Sequence, residues 1–330
     1  MKNNRRQSLY ALLAAIIWGA AFSAQSMCAQ YLGPFTITAL RSIIAFLVLL
    51  IVCLLRRRTE VGSRRDIIVG SLICGAALFA AANLQQLAIN MGASAGKAGF
   101  VTALYIVLVP IGQMFFKHSL PSRHWIAVAV AVTGMYFLCI TDGFSISSTD
   151  LILLMCAFLF TIQILSVDRF SFRVDGLVLS CGMFLVVSVL SALVALPFEE
   201  ISISAVRSCI WPLLYISVFS SCLGYTFQIL AQKGGNPAVV SLLLSLEAFF
   251  GAVFGTLLLG QLMTGRELLG CGLMIAATLI AELPMPVKEM SIQRPVYATN
   301  WTLFYIATFC VLCLYTHPQL FCWTFGKSMI

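Results

Sequence analysis

Residues 67–90 read IIVGSLICGAALFAAANLQQLAIN. The stretch holds no charged side chain, and Asn83, Gln86 and Asn90 recur in it at spacings of three and four. An α-helix rises about 1.5 Å per residue, so a run of this length covers the roughly 30 Å hydrocarbon core of a bilayer. In lipid every backbone N–H and C=O must be satisfied within its own segment, which makes the run a helix. The three amides then share one helical face. A polar face on a membrane-crossing helix is costly, and it points to a bundle interior or a water-filled cavity.

Outward from this run, comparable apolar stretches fall at about 8–29, 35–55, 94–116, 124–141, 151–167, 176–197, 209–231, 237–260 and 267–283. Of the 330 residues, 61% are hydrophobic and 10% charged, with a mean hydropathy of +0.99. A soluble domain carries about 25% charged residues, so this chain has too few to cover a water-soluble globule. The reading is an all-α integral membrane protein of ten transmembrane helices, multi-pass in a cell membrane, with a bacterial plasma membrane expected. Short loops make successive helices antiparallel neighbours. Lys2, Arg5 and Arg6 ahead of Leu9–Ala21 resemble a signal peptide, but the pattern continues unbroken, so 8–29 reads as the first span.

The net charge is +8. The basic residues sit in short loops, with no arginine-rich arm, aromatic RNA-binding motif or zinc-finger spacing, so orientation in the membrane is the reading and nucleic acid is not a partner. With the N-terminus in the cytoplasm, 15 basic residues fall on that side: Lys2, Arg5, Arg6, Arg56, Arg57, Arg58, Arg64, Arg65, Lys117, Arg123, Arg169, Arg173, Lys233, Lys288 and Arg294. The opposite side holds Arg207 and Arg266. Most of the 12 cysteines lie in apolar runs and read as small hydrophobes. Cys310 and Cys313, with His317 and Cys322 beyond, leave a zinc site open against a plain packing role in Leu/Phe-rich sequence.

The fourth and fifth spans align with the ninth and tenth at an offset of 142, placing Gly92 on Gly234, Leu104 on Leu246 and Leu120 on Leu262. Five spans per half is an odd number, so the second half enters the membrane upside down. The chain therefore divides into two inverted five-helix repeats, 1–141 and 142–283, followed by 284–330. Inverted repeats mark secondary transporters, with a substrate site near the midplane between halves. Pro284 and Pro286 end the tenth helix, and Val296–Tyr315 has no partner in the repeat. An eleventh hydrophobic helix, an interfacial helix and an unpacked tail all fit it.

Polar residues within spans mark the candidate path. Trp18 and Gln25 share a face of the first span, and Thr102, Tyr105 and Gln113 form a stripe on the fourth. Gln163 is the main polar residue of the sixth, and Ser221, Tyr225, Gln228 and Gln232 form an unbroken i, i+4, i+7, i+11 stripe on the eighth. Interhelical hydrogen bonding and cavity lining are both open for each residue. The full stripe on the eighth span favours a cavity, since helix–helix glue seldom needs a whole face. Arg41, in the second span, can snorkel to the interface or attract an anionic group. Glu247 is a candidate carrier of a coupled proton. It also shares a face with Gly251 and Gly255, a close-packing pattern. Lys97 is a second coupling candidate, placed where it can snorkel. No Walker loop, glycine-rich nucleotide motif or HExxH is present, and His118, His124 and His317 lie in loops or near the end. No cofactor, ATP-driven step or enzymatic activity is expected.

Trp18-Gly19-Ala20-Ala21-Phe22, Ala39-Leu40-Arg41, Gly96-Lys97-Ala98-Gly99-Phe100-Val101-Thr102-Ala103-Leu104-Tyr105, Ser220-Ser221 through Tyr225-Thr226-Phe227-Gln228, and Ser245-Leu246-Glu247 follow one another in order. Together they resemble the first, second, fourth, eighth and ninth helices of the drug/metabolite transporter superfamily, EamA type, over residues 8–283. The resemblance implies a ten-helix inverted-repeat carrier that moves small organic metabolites, often outward, by alternating access. Two departures stand out. Gln261 occupies a loop where members often carry glutamate, and the stretch after Pro284 is longer than the usual short basic tail.

The expectation is a secondary permease, exporting a small organic metabolite on a proton or solute gradient. Its cavity would be lined by Trp18, Arg41, Asn83, Gln86, Tyr105, Gln163, Tyr225 and Gln228, with Glu247 and Lys97 as coupling candidates. Its partners would be the bilayer, the solute, protons and a second copy in a homodimer. The rival reading is a non-transporting membrane scaffold or sensor, whose mark would be a soluble effector domain; the loops here are short.

Overall fold

The lipid constraint on the backbone is met by helices throughout the described residues of the computed structural model, which are 2–56, 62–93, 95–115, 122–139, 148–259 and 264–282. In chain order these are α1 (Lys2–Ala29), α2 (Pro34–Arg56), α3 (Arg64–Asn90), α4 (Ala95–Thr102), α5 (Tyr105–Phe115), α6 (Ser122–Cys139), α7 (Ser148–Ser171) and α8 (Gly176–Phe198). There follow α9 (Ile203–Ser208), α10 (Ile210–Leu214), a π-helix (Tyr215–Gly224), α11 (Tyr225–Gln232), α12 (Pro237–Leu244), α13 (Glu247–Leu259) and α14 (Gly265–Glu282). Among the described residues, 8 helices are long and apolar enough to cross a membrane. They include α4–α5 taken together, α10 through α11, and α12 with most of α13. The 18-residue helices α6 and α14 are outside that set and pack against each other.

Three spans expected as single rods are interrupted. The α4–α5 break is carried by i→i−3 bonds, Leu104 N to Val101 O at 3.3 Å and Ile106 N to Ala103 O at 3.0 Å. The α12–α13 break repeats them 142 residues on, Leu246 N to Leu243 O at 3.2 Å and Ala248 N to Ser245 O at 3.2 Å. The same interval separates α2 from α8 and α4 from α12 at both ends, and the starts of α5 and α13. Gly92 and Gly234 follow the ends of α3 and α11 with φ of +93° and +86°. That left-handed backbone favours glycine and turns the chain sharply out of each helix.

Packing is dense where small residues let backbones approach. A methyl at Gly75 of α3 would lie 2.6 Å from Val186 Cβ of α8. The largest enclosed side chains include Phe184, Ile37, Leu78 and Leu159. One end of the bundle carries ion pairs between Arg56 and Asp175 at 3.9 Å and between Arg173 and Asp66 at 3.6 Å, and Gln7 Nε2 donates to Lys233 O at 2.8 Å. At the other end the Glu199 carboxylate accepts from Phe35 N at 3.0 Å and Thr36 N at 2.7 Å, satisfying donors at the start of α2. Gly33 lies against that carboxylate, so a Cβ there would displace the Glu199 side chain. Residues 284–330, with Cys310, Cys313, His317 and Cys322, and likewise Lys117 and Gln261, lie outside the described residues.

Candidate functional site

The two helix breaks put two helix N-termini side by side inside the bundle. Tyr105 opens α5 and Glu247 opens α13. Tyr105 Oη donates to Glu247 Oε1 at 3.2 Å, and both side chains are buried. The partial positive charge of a helix N-terminus favours a carboxylate at that position. Arg41, 3% exposed, points inward rather than to the membrane surface. Its Nη1 reaches Gln25 Oε1 at 3.5 Å, and its Nε has no protein partner. Trp18 Nε1 donates to the Ser220 carbonyl at 3.1 Å, and its ring tilts against Tyr225 at 4.8 Å between centroids. Gly224 leaves room for that indole, because a Cβ there would sit 2.5 Å from Trp18 Nε1.

These groups wall a small cavity of about 30 Å³. Polar wall positions are Gln25, Arg41, Gln85, Thr102, Tyr105, Ser220, Tyr225, Gln228 and Glu247, and Trp18, Phe22, Phe160, Ile164 and Leu244 supply aromatic and aliphatic surface. Four pairs in this wall are separated by 142 residues: Trp18 with Phe160, Phe22 with Ile164, Thr102 with Leu244, and Tyr105 with Glu247. A pocket with a cation and a carboxyl group among aromatic faces offers polar and apolar contacts to a small amphipathic solute. Among the described residues no group of three or more His, Cys, Asp or Glu converges to hold a metal.

Of the residues singled out from the sequence, Trp18, Arg41, Tyr105, Tyr225, Gln228 and Glu247 come together on the wall. Gln163 stands directly behind Gln228, whose Nε2 donates to Gln163 Oε1 at 3.0 Å. Asn83 and Gln86 lie off the wall. Asn83 Nδ2 donates to Phe79 O at 2.8 Å and to Ser191 Oγ of α8 at 3.0 Å, while Gln86 Nε2 donates to Asn90 Oδ1 at 2.9 Å. Lys97 is paired with Asp150 of α7 at 2.9 Å, away from the wall. Gln85 takes the wall position on α3. That helix is packed on several sides, so its polar spacing alone does not say which face meets the cavity. Ser220 rather than Ser221 is on the wall because the π-helix widens the turn and shifts the register. The interval of 142 from Trp18 would have flagged Phe160. On the Glu247 face, Gly251 packs so closely on α1 that a Cβ at Gly19 would lie 2.8 Å from Gly251 N.

The EamA-like transporter family matches residues 6–140 and again residues 147–283. The chain belongs to the EamA-like transporter family. This EamA-like chain is 27% identical over 272 residues to an "Uncharacterized transporter" of Archaeoglobus fulgidus, a span covering 82% of this chain and 84% of that protein. A solved crystal structure aligns with 87% of this chain and 99% of its own at a TM-score of 0.73 and 19% identity, a likeness of fold alone. Family and relative together make this a multi-pass membrane transporter.

Proposed function

We propose that this EamA-like chain is a secondary permease that exports a small organic metabolite by alternating access. Residues 1–141 and 142–283 act as two inverted repeats of five spans each, α6 and α14 completing a set of ten. The observation that carries the reading is the cavity wall, which four pairs of residues 142 apart share and in which one such pair, Tyr105 and Glu247, is hydrogen-bonded. Residues whose repeat equivalents touch lie beside the axis that relates the repeats. With an odd number of spans per half, that axis runs in the membrane plane, so a cavity on it can be opened to either side by exchanging the conformations of the halves.

Arg41 receives an anionic group of the solute, and Trp18 and Tyr225 flank its apolar part. Gln25, Gln85 and Gln228 offer exchangeable hydrogen bonds. Glu247 takes up the coupling proton, and the Tyr105 hydroxyl tracks its protonation state. In this reading the end with Arg56, Arg173 and Lys233 is the cytoplasmic one, which the charge bias supports. Reconstitution into liposomes, with a panel of small polar and amphipathic metabolites under imposed proton and solute gradients, tests the proposal. Saturable movement of at least one solute is expected; a panel in which nothing moves under any gradient overturns it.

A further inference from the structure

The two ends of the cavity carry different contacts at positions 142 residues apart. At the arginine-rich end Gln228 Nε2 donates to Gln163 Oε1 at 3.0 Å, and Gln163 Nε2 returns a longer bond to Gln228 Oε1 at 3.5 Å. One turn further out, Gln232 Nε2 donates to the Ile164 carbonyl at 2.7 Å. All three glutamines are at most 1% exposed, and Ile164 and Gln228 belong to the cavity wall. The three amides thus stitch α11 to α7 across the floor of the cavity.

At the interval of 142, the equivalents of Ile164, Gln228 and Gln232 are Phe22, Gln86 and Asn90, and the equivalent of Gln163 is Ala21. The corresponding stitch between α1 and α3 is not made. Asn90 Nδ2 donates to Leu32 O at 2.9 Å, the Phe22 carbonyl accepts from Ser26 Oγ at 3.0 Å, and Gln86 Oε1 is buried without a partner. Ala21 has no side-chain group that could return the reciprocal bond that Gln163 makes. The asymmetry is therefore both conformational and written into the residues.

We infer that the amides of Gln163, Gln228 and Gln232 are the gate that shuts the cavity from the arginine-rich end, and that opening to that end breaks them. This rests on the alternating-access reading above. Amides suit the task. Closed, each of the three amide nitrogens has a protein acceptor, while Gln232 Oε1 is buried without one; opened, water enters and takes the place of the protein partners. No charge has to move with the gate. Because Ala21 replaces the glutamine at the far end, the far closure has fewer bonds, and the resting protein favours the state closed at the arginine-rich end.

Hydrogen exchange read by mass spectrometry on the full chain in lipid nanodiscs tests this, comparing the protein with Gln232→Leu and, separately, Gln163→Met. Side-chain hydrogen bonds between membrane helices are modest, so each one lost shifts the balance between states by about threefold. Backbone amides of 160–168 and 226–232 should exchange about threefold faster for each bond removed, while those of 20–28 and 84–90 exchange more slowly. Unchanged exchange in 226–232, or equal acceleration at both ends, overturns the gate. If Gln232→Leu does not fold, Gln163→Met carries the same two outcomes alone. The readout needs no solute. Opposite shifts at the two ends without transport uphold the gate while the permease reading fails, and transport without such shifts removes the gate alone.

Discussion

Replacing Gly224 by alanine probes the contact on which the shape of the cavity depends. The new methyl would lie 2.5 Å from Trp18 Nε1 and 3.2 Å from Cδ1 and Cε2, against ordinary contact at 3.4–4 Å. The indole must withdraw by roughly 1 Å, which stretches its 3.1 Å bond to the Ser220 carbonyl beyond useful range. Loss of that bond costs about 0.6–1.5 kcal/mol. Disturbing the Trp18–Tyr225 ring contact adds about 0.5–1.5 kcal/mol, for a destabilisation of about 1–3 kcal/mol. Denaturant titration of the purified protein in mixed micelles measures it. The mechanism is specific to the indole, so the same substitution in a Trp18→Phe background should cost at least ~0.5 kcal/mol less. If the two changes add within about 0.3 kcal/mol, the collision with Trp18 is not what Gly224 avoids.

Glu247→Gln should abolish gradient-driven uptake while sparing solute exchange in proteoliposomes; loss of folded protein would instead assign Glu247 to packing between α13 and α1. Glu199→Ala removes the acceptor for Phe35 N and Thr36 N and should lower stability by about 1–2 kcal/mol, with Glu199→Gln losing less. Thermal unfolding of the two variants side by side checks the order. Lys97→Met or Asp150→Asn removes a 2.9 Å ion pair and should cost about 1–3 kcal/mol, given that the Lys97 side chain is 28% exposed. The double variant should recover part of that loss, and a double variant worse than either single one would show that the pair does not act as a unit.

The membrane-spanning helices were legible because lipid permits few alternatives to a continuous apolar helix, and residues 67–90 could be read on that ground alone. The interval of 142 was visible in Gly92 and Gly234, whose positive φ gives a conformational reason for glycine at both sites. Helix breaks were harder. Nothing in Ala103-Leu104 or Ser245-Leu246 is a strong helix breaker, so those interruptions arise from packing at the bundle centre. Wall residues were found where a helix had one polar face, as with Trp18, Tyr225 and Gln228. They were missed on α3, where Gln85 and Asn83 are both buried and only the neighbouring helices decide which meets the cavity. Charge gave weaker guidance for Lys97, whose partner Asp150 is 53 residues away and becomes a neighbour only through the packing of α4 on α7.

The claim that the cavity between the repeats is the solute path is tested most directly by exchange of a labelled solute in proteoliposomes holding equal amounts of folded protein. The protein and its Trp18→Ala and Arg41→Ala variants would be compared with a wall-remote change such as Leu193→Ala on the exposed face of α8. Saturable exchange should be retained in Leu193→Ala and fall at least about tenfold in the two cavity variants, the effect expected when a polar or aromatic anchor is removed from a binding pocket. Saturable exchange that persists undiminished in both cavity variants would contradict the account.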